Sequence, residues 1–407
     1  MRGTSFFGRL LLLIVALFVG GCAGVPTPPR ANVFLSERER TAHNLRVFDR
    51  AWQLVNTKFF DAKFRGVDWP AMKTQYRPAA ERAVDDEALY EVINSLLGEL
   101  KESHNYAMTP QRRWEVLAKQ QARIGLGLRR LDGHWVVTEV IPGSPAEAAE
   151  VRRGWVVEQR DGQKLGNGAS FSLKEGQAVV YDFLTREDER QTRSMTARVL
   201  PVADRREMRL LADGNVYLRF DAFDYQSLRW LSEQLKTYRA APAVVIDLRY
   251  NHGGLFYSLE FSLGEFFAKS VQVGTFVRRS GSEEPKDSNQ LFSARYAGKV
   301  ILLTDHTTAS CAEILAHVLH YHQRAVLIGR PTAGAVVASR YFALPDGGML
   351  QIAVDDFRGL DGKRLEGLGV KPDITVELKL SDLRAGRDPD LQAAEASLHS
   401  AEIVAKN

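Results

Sequence analysis

Two runs of this chain, Ala243-Val244-Val245-Ile246-Asp247-Leu248 and Val300-Ile301-Leu302-Leu303, are apolar almost without interruption. A strand with one face in water alternates. A strand that is apolar at successive positions is covered on both faces, as in a parallel sheet sandwiched between helices. Apolar residues at helical spacing occupy residues 227–235 and 309–320, next to these runs. Strand and helix therefore alternate, and an α/β core is expected over residues 203–380. Val216-Tyr217-Leu218-Arg219-Phe220 reads as an alternating strand near its start.

The rest of the chain divides by pattern. Residues 35–118 read as a helical N-terminal domain. Val47, Trp52, Leu54, Val55 and Phe59 fall on one helical face, and Leu89, Val92, Ile93, Leu96 and Leu97 on another. Asp85-Asp86 supplies a cap for the second run, and Ser103-His104-Asn105 lies in a loop near the domain's end. Residues 119–202 form a different unit, with the strand Trp135–Val140, the turn Pro142-Gly143-Ser144-Pro145 opening a short helix closed by Gly154, and a turn at Asp161-Gly162. The tail, residues 381–407, is charged and helical in character.

Arg2 and Arg9 precede the apolar run Leu10–Val19, which ends in Gly20-Gly21-Cys22. That is an export signal over residues 1–21, too short to span a bilayer, which needs roughly 20 apolar residues. Val19-Gly20-Gly21-Cys22 resembles a lipobox, which implies acylation of Cys22 and a membrane anchor. Residues 22–34, with Pro26, Pro28 and Pro29, form a stiff tether. A cell-envelope location follows, and Ala23 after the cysteine leans towards the outer membrane. The only other cysteine is Cys311, so with Cys22 acylated no intramolecular disulfide can form. The net charge of +4 is spread without a basic tract, which excludes a nucleic-acid surface. The oligomeric state is not written in the sequence.

The chemistry concentrates where the second buried run ends, in Leu303-Thr304-Asp305-His306-Thr307-Thr308-Ala309-Ser310-Cys311-Ala312-Glu313-Ile314. Ser310 starts a helix, where free N–H groups and the positive helix end favour a developing oxyanion. A serine there is ordinarily just a cap. The stretch Thr-Ala-Ser-x-Ala-Glu-Ile, however, resembles the nucleophile motif of the tail-specific (C-terminal processing) serine peptidases. Leu248-Arg249-Tyr250-Asn251-His252-Gly253-Gly254 resembles that family's oxyanion loop. The resemblance implies oxyanion donors among Gly253, Gly254 and Cys311. It also implies a crotonase-like, ClpP-like layered core and a PDZ-like domain over residues 119–202. In such a domain Gly125-Leu126-Gly127-Leu128 would bind a peptide's C-terminal carboxylate, with the peptide added as a strand.

Relatives differ at the catalytic base. One branch uses a lysine in a Gly-x-x-Thr-x-Gly-Lys-Gly stretch. Here the matching stretch is Gly329-Arg330-Pro331-Thr332-Ala333-Gly334-Ala335-Val336, with alanine in the lysine's place and no lysine between Lys299 and Lys363. The tricorn-core-like branch uses a histidine, a second serine and a glutamate. Ser103-His104 and Leu365-Glu366-Gly367-Leu368-Gly369-Val370-Lys371-Pro372-Asp373 match it. By this resemblance His104 is the base for Ser310, and Ser103 and Glu366 orient it. No metal or organic cofactor is implied, and peptides or proteins are the substrates. His252 and His306, in the loops around Ser310, are substitute bases. His317, His320 and His322 lack a carboxylate pattern for a metal. A non-catalytic protein on the same scaffold, binding peptides or hydrophobic ligands, is the alternative.

Overall fold

The computed structural model describes residues 36–166, 171–202, 204–290 and 295–399. The export signal, Cys22 and the proline tether lie outside them. Helices α1 (Glu37–Lys58), α2 (Trp69–Glu81) and α3 (Asp86–Gly98) open the described chain. Ser36, Asp68 and Asp85 cap them, accepting the N–H groups of Glu39, Ala71 and Ala88, donors the first turn would otherwise leave unpaired. Their buried faces meet at Phe48, Phe59 and Trp69, and the same cluster takes in Val337, Leu350, Ile352 and Ala353. The helices therefore share a core with a sheet built from residues far down the chain. Strand β1 (Tyr106–Met108) pairs antiparallel with that sheet, and α4 (Pro110–Ala118) leads away from it.

Strands β2 (Gln120–Arg123) and β8 (Arg198–Pro201) make a two-stranded stem. Between them, β3 (Leu126–Leu131), β4 (His134–Val140), β5 (Val156–Arg160), β6 (Ala178–Leu184) and β7 (Arg190–Thr196) form an antiparallel sheet in chain order, with a one-turn helix α5 (Pro145–Ala148). This insert has its own core around Val137, Trp155, Phe183 and Met195. Strand β3 is at the sheet's edge.

The remaining elements are β9 (Arg206–Leu210), β10 (Val216–Phe220), α6 (Tyr225–Thr237), β11 (Ala243–Asp247), α7 (Phe256–Gly264), β12 (Gln272–Arg278), β13 (Glu283–Asp287), β14 (Lys299–Thr304), α8 (Cys311–Tyr321), β15 (Val326–Gly329), β16 (Ala338–Ala343), β17 (Met349–Arg358), β18 (Ile374–Thr375), α9 (Leu380–Arg384) and α10 (Pro389–His399). The central sheet runs β18-β15-β14-β11-β10-β9, parallel except for β9. Strand β11 is buried at every position, as its unbroken apolar run requires. Strand β10 departs from the alternating expectation: four of its five residues are buried, because both faces of the sheet are covered. A second, antiparallel sheet gathers β1, β12 and β16 on β17, with β13 on β12. The fold is mixed α/β with a helical N-terminal region.

Candidate active site

The turn between β14 and α8 is built from its own side chains. The buried Asp305 carboxylate accepts the Thr307 N–H at 2.8 Å and its hydroxyl at 2.6 Å. Thr308 Oγ1 accepts the Asp305 N–H and donates to the Leu248 carbonyl, both at 3.0 Å. The chain then enters α8 through Ser310 at φ 55° and ψ −124°. A residue with a Cβ rarely adopts this geometry, which persists only where its surroundings hold it. Here the Ser310 N–H donates to the Ala335 carbonyl at 2.9 Å and to Glu313 Oε2 at 3.2 Å. A sharp strand-to-helix turn of this kind lifts a serine hydroxyl out of the backbone at a helix N-terminus.

Loop 248–254 lies against that turn. Asn251 is fully buried; its Nδ2 donates to the Phe220 carbonyl at 2.8 Å, and its own carbonyl accepts the Ala309 N–H at 3.0 Å. A Cβ on Gly253 would stand 2.5 Å from Ser310 Cβ and 2.8 Å from the Cys311 nitrogen, so only glycine permits this approach. One expected role changes. The Gly253 N–H is taken by Asn251 Oδ1 at 2.9 Å, so Gly253 shapes the loop and does not face a substrate oxygen. The Gly254 and Cys311 N–H groups donate to no carbonyl among the described residues and lie beside the Cys311 sulfur. Cys311 Sγ contacts the Gly254 carbonyl at 3.4 Å, and burial pushes its thiol up to about 12, which leaves it inert as a nucleophile.

The Ser103-His104 loop is fastened to the core by Glu366. Glu366 Oε1 accepts the Ser103 N–H at 2.8 Å, and Oε2 accepts the Ser103 hydroxyl at 3.1 Å and the Val336 N–H at 2.5 Å. Ser103 Oγ lies 2.6 Å from His104 Nδ1. With the hydroxyl proton directed to Glu366, His104 must carry its proton on Nδ1, which leaves Nε2 with the lone pair a base needs. Burial lowers the His104 pKa, with Glu366 pulling the other way, so the imidazole is neutral at pH 7. His104 and Ser310 share no direct hydrogen bond in this structure. They are tied through adjoining residues, since Glu366 holds the Val336 N–H and Ser310 holds the Ala335 carbonyl.

Ala335, at the position of the missing lysine, contributes backbone only: its N–H donates to Glu313 Oε2 at 2.8 Å. The sequence marked Glu313 as part of a motif without a task for it. It is fully buried and also accepts the Gly334 N–H at 2.7 Å and the Thr332 hydroxyl at 2.5 Å. A second unforeseen device is a strap. Arg249, beside the oxyanion loop, binds Asp247, Asp388 and the fully buried Asp390 at 2.7–2.8 Å, and Asp390 also holds Arg330. The partners of Asp388-Pro389-Asp390 are distant in sequence: Arg249 lies about 140 residues earlier and Arg330 60.

His252 and His306 are exposed and make no hydrogen bond to Ser310. His317 Nε2 accepts the Leu360 N–H at 3.0 Å and His320 pairs with Asp373; no group of residues suited to a metal occurs among the described residues. In the insert, Gly125 at φ 85° packs on Ser144, and its carbonyl accepts the Ile141 N–H at 2.9 Å. Leu126 and Leu128 lean on the insert's core, and Gly127 faces Glu139. No helix lies among the described residues between β5 and β6.

The site thus joins a strained serine at a helix start to a loop that carries an ordered imidazole. Residues 215–376 match the model of peptidase family S41, and residues 41–98 that of the tricorn protease C1 domain. The chain is 25% identical over 396 residues to a putative tricorn protease homolog of Streptomyces coelicolor, covering 88% of this chain but 32% of that protein. It is 24% identical to a carboxyl-terminal-processing protease of Synechocystis, covering 95% and 92% of the two. The photosystem II D1 C-terminal processing protease shares the fold, with a TM-score of 0.58 at 20% identity over 88% of this chain and 98% of the other. The S41 match and the carboxyl-terminal-processing relatives support a serine-type peptidase related to family S41. The chain spans about a third of the tricorn homologue and nearly all of the processing protease.

Proposed function

We propose that this chain is a lipid-anchored endopeptidase of the cell envelope that cleaves polypeptides through an acyl-enzyme on Ser310. The observation that carries the reading is the run Glu366, Ser103, His104, which fixes the imidazole tautomer and is tied to the Ser310 turn. When a peptide is seated and Ser310 Oγ comes within reach of His104 Nε2, the imidazole takes the hydroxyl proton while Oγ bonds to the scissile carbonyl carbon. The carbonyl oxygen, now anionic, is held by the Gly254 and Cys311 N–H groups. The imidazolium then gives its proton to the leaving amine as the C–N bond breaks. Water repeats the sequence on the acyl-enzyme, releasing a carboxylate and restoring Ser310.

The crotonase-like, ClpP-like description of the core is supported by the strand–helix alternation around β10, β11, β14 and β15. Recognition of substrate C-termini by a PDZ-like insert is supported by the open β3 edge and the Gly125 loop. Lipid anchoring, with the outer membrane favoured over the inner, rests on Val19-Gly20-Gly21-Cys22-Ala23.

A fluorophosphonate, which labels only an activated serine, tests the proposal. Labelling of the full chain that disappears in both Ser310→Ala and His104→Ala is the expected result. Labelling that persists in His104→Ala removes His104 as base. No labelling at all transfers the protein to the non-catalytic reading.

A further inference from the structure

A crevice of about 1190 Å³ lies between the insert and the core. Its floor is formed by residues at or just past the carboxyl ends of the parallel strands, among them Arg219, Asp247, Tyr250, Asp305 and Arg330. In open parallel sheets ligands bind at that end. The volume exceeds the roughly 300–1,000 Å³ of small-molecule pockets, so it has room for a stretch of polypeptide. Ser310 does not line it; Tyr250 and Asp305 do, from the loops on either side of the Ser310 turn.

Eleven arginines and eight carboxylates line this space, with no lysine or histidine among the described lining residues. Seven of the arginines are paired with carboxylates. Arg123, Arg152, Arg153 and Arg186 have no ion-pair partner among the described residues, and Arg152 and Arg153 are exposed at the rim. Two lining carboxylates, Glu147 and Glu150, likewise lack a cationic partner among the described residues. Arg123 and Arg186 donate to the Pro201 and Arg153 carbonyls, which leaves the exposed Arg152 and Arg153 guanidinium groups, whose planar fork suits bidentate binding of carboxylates.

Deeper in, Arg129 of β3 is nine-tenths buried. It pairs with Asp305 at 2.8 Å, yet its second terminal nitrogen, Nη2, has no acceptor in the structure. A buried guanidinium N–H without an acceptor is costly and marks a place where an incoming oxygen is favoured. Arg129 and Arg219 both stack on the Tyr250 ring, at 5.2 and 4.9 Å, which fixes two cations on the floor.

We infer that this crevice binds an acidic stretch of an extended polypeptide whose backbone lies along the β3 edge. A polypeptide is favoured because Arg129 projects from the open edge strand β3, where a peptide backbone can pair while its carboxylates reach the arginines. The inference rests on the peptidase reading for the nature of its ligand.

The test uses the full chain carrying Ser310→Ala, so that binding is read without turnover. Failure of the peptidase reading would show separately, as absent turnover by the unsubstituted chain. Fluorescent peptides with blocked, amidated ends are titrated by anisotropy, one rich in glutamate and its counterpart with glutamine. The glutamate peptide is expected to bind roughly tenfold or more tightly, with an advantage that shrinks as salt screens it. Arg152→Glu combined with Arg153→Glu, at exposed positions outside any ion pair, should bring the ratio to about one. Equal binding of the two peptides overturns the inference. So does an advantage that survives the double substitution. Displacement by anionic lipid vesicles but not by unlabelled acidic peptide would make the crevice a membrane contact and overturn it too.

Discussion

Glu313 and Ser310 are bonded reciprocally: the Glu313 carboxylate accepts the Ser310 N–H at 3.2 Å, and the Ser310 carbonyl accepts the Glu313 N–H at 2.9 Å. One buried side chain thus holds the strained Ser310 turn, and through Gly334 and Ala335 it also holds the neighbouring loop.

Glu313→Gln should therefore be severe. Each carboxylate oxygen accepts two donors, and glutamine turns one oxygen into a further donor. Leaving buried donors unpaired costs about 1–3 kcal/mol each, so a loss of roughly 2–4 kcal/mol is expected in denaturant unfolding, with turnover falling as well. Unchanged stability would show that the carboxylate's bonds are dispensable.

Gly253→Ala should abolish turnover while leaving most of the fold intact. At φ 86°, with its Cβ 2.5 Å from Ser310 Cβ, alanine must push loop 248–254 off Ser310, the proposed nucleophile. A decrease of about 10² or more in kcat is expected, read alongside fluorophosphonate labelling and circular dichroism.

The strap predicts a link between the chain's end and its active site. Removing one partner of a buried ion pair costs about 3–5 kcal/mol, and Asp390 serves both Arg249 and Arg330. Asp390→Ala should lower stability by that order and reduce kcat, because Arg249 adjoins the oxyanion loop. A variant as active and as stable as the parent would refute the link.

The pH dependence has a definite sign. Burial lowers the folded-state pKa of His104, and likewise of His43 and His317, below the ordinary value near 6.5. The kcat/KM of the free enzyme should hold at pH 6.5 and fall only as the pH drops through the depressed His104 value. Stability follows the same direction. Below pH 6.5 the unfolded chain binds more protons at these histidines than the folded one, so unfolding becomes easier as the pH falls. Unfolding curves from pH 7 to 5 check this, and a stability flat across that window would contradict it.

Anchoring is separable from chemistry. Cys22→Ser should move the protein from the membrane fraction to the soluble one, or block its processing, while the purified variant keeps its activity. Unchanged membrane association would remove the lipid anchor from the proposal.

Local physics made much of this protein legible in its sequence. The unbroken apolar runs of β11 and β14 require a sheet covered on both faces, and Asp85 and Ser310 mark helix starts through simple capping logic. Gly253 is recognisable because a close backbone approach excludes a Cβ. The order of motifs carried Ser310, His104, Ser103 and Glu366 into one hypothesis. Other features needed the tertiary fold. That the N-terminal helices share a core with β17 depends on side chains about 300 residues apart, which no local period encodes. That Gly253 spends its N–H on Asn251, that Glu313 gathers four donors and that Asp390 neutralises Arg249 and Arg330 are consequences of burial. A buried polar group must find its partner wherever the chain brings one. Sequence shows which groups will need partners, and only the fold decides which they are.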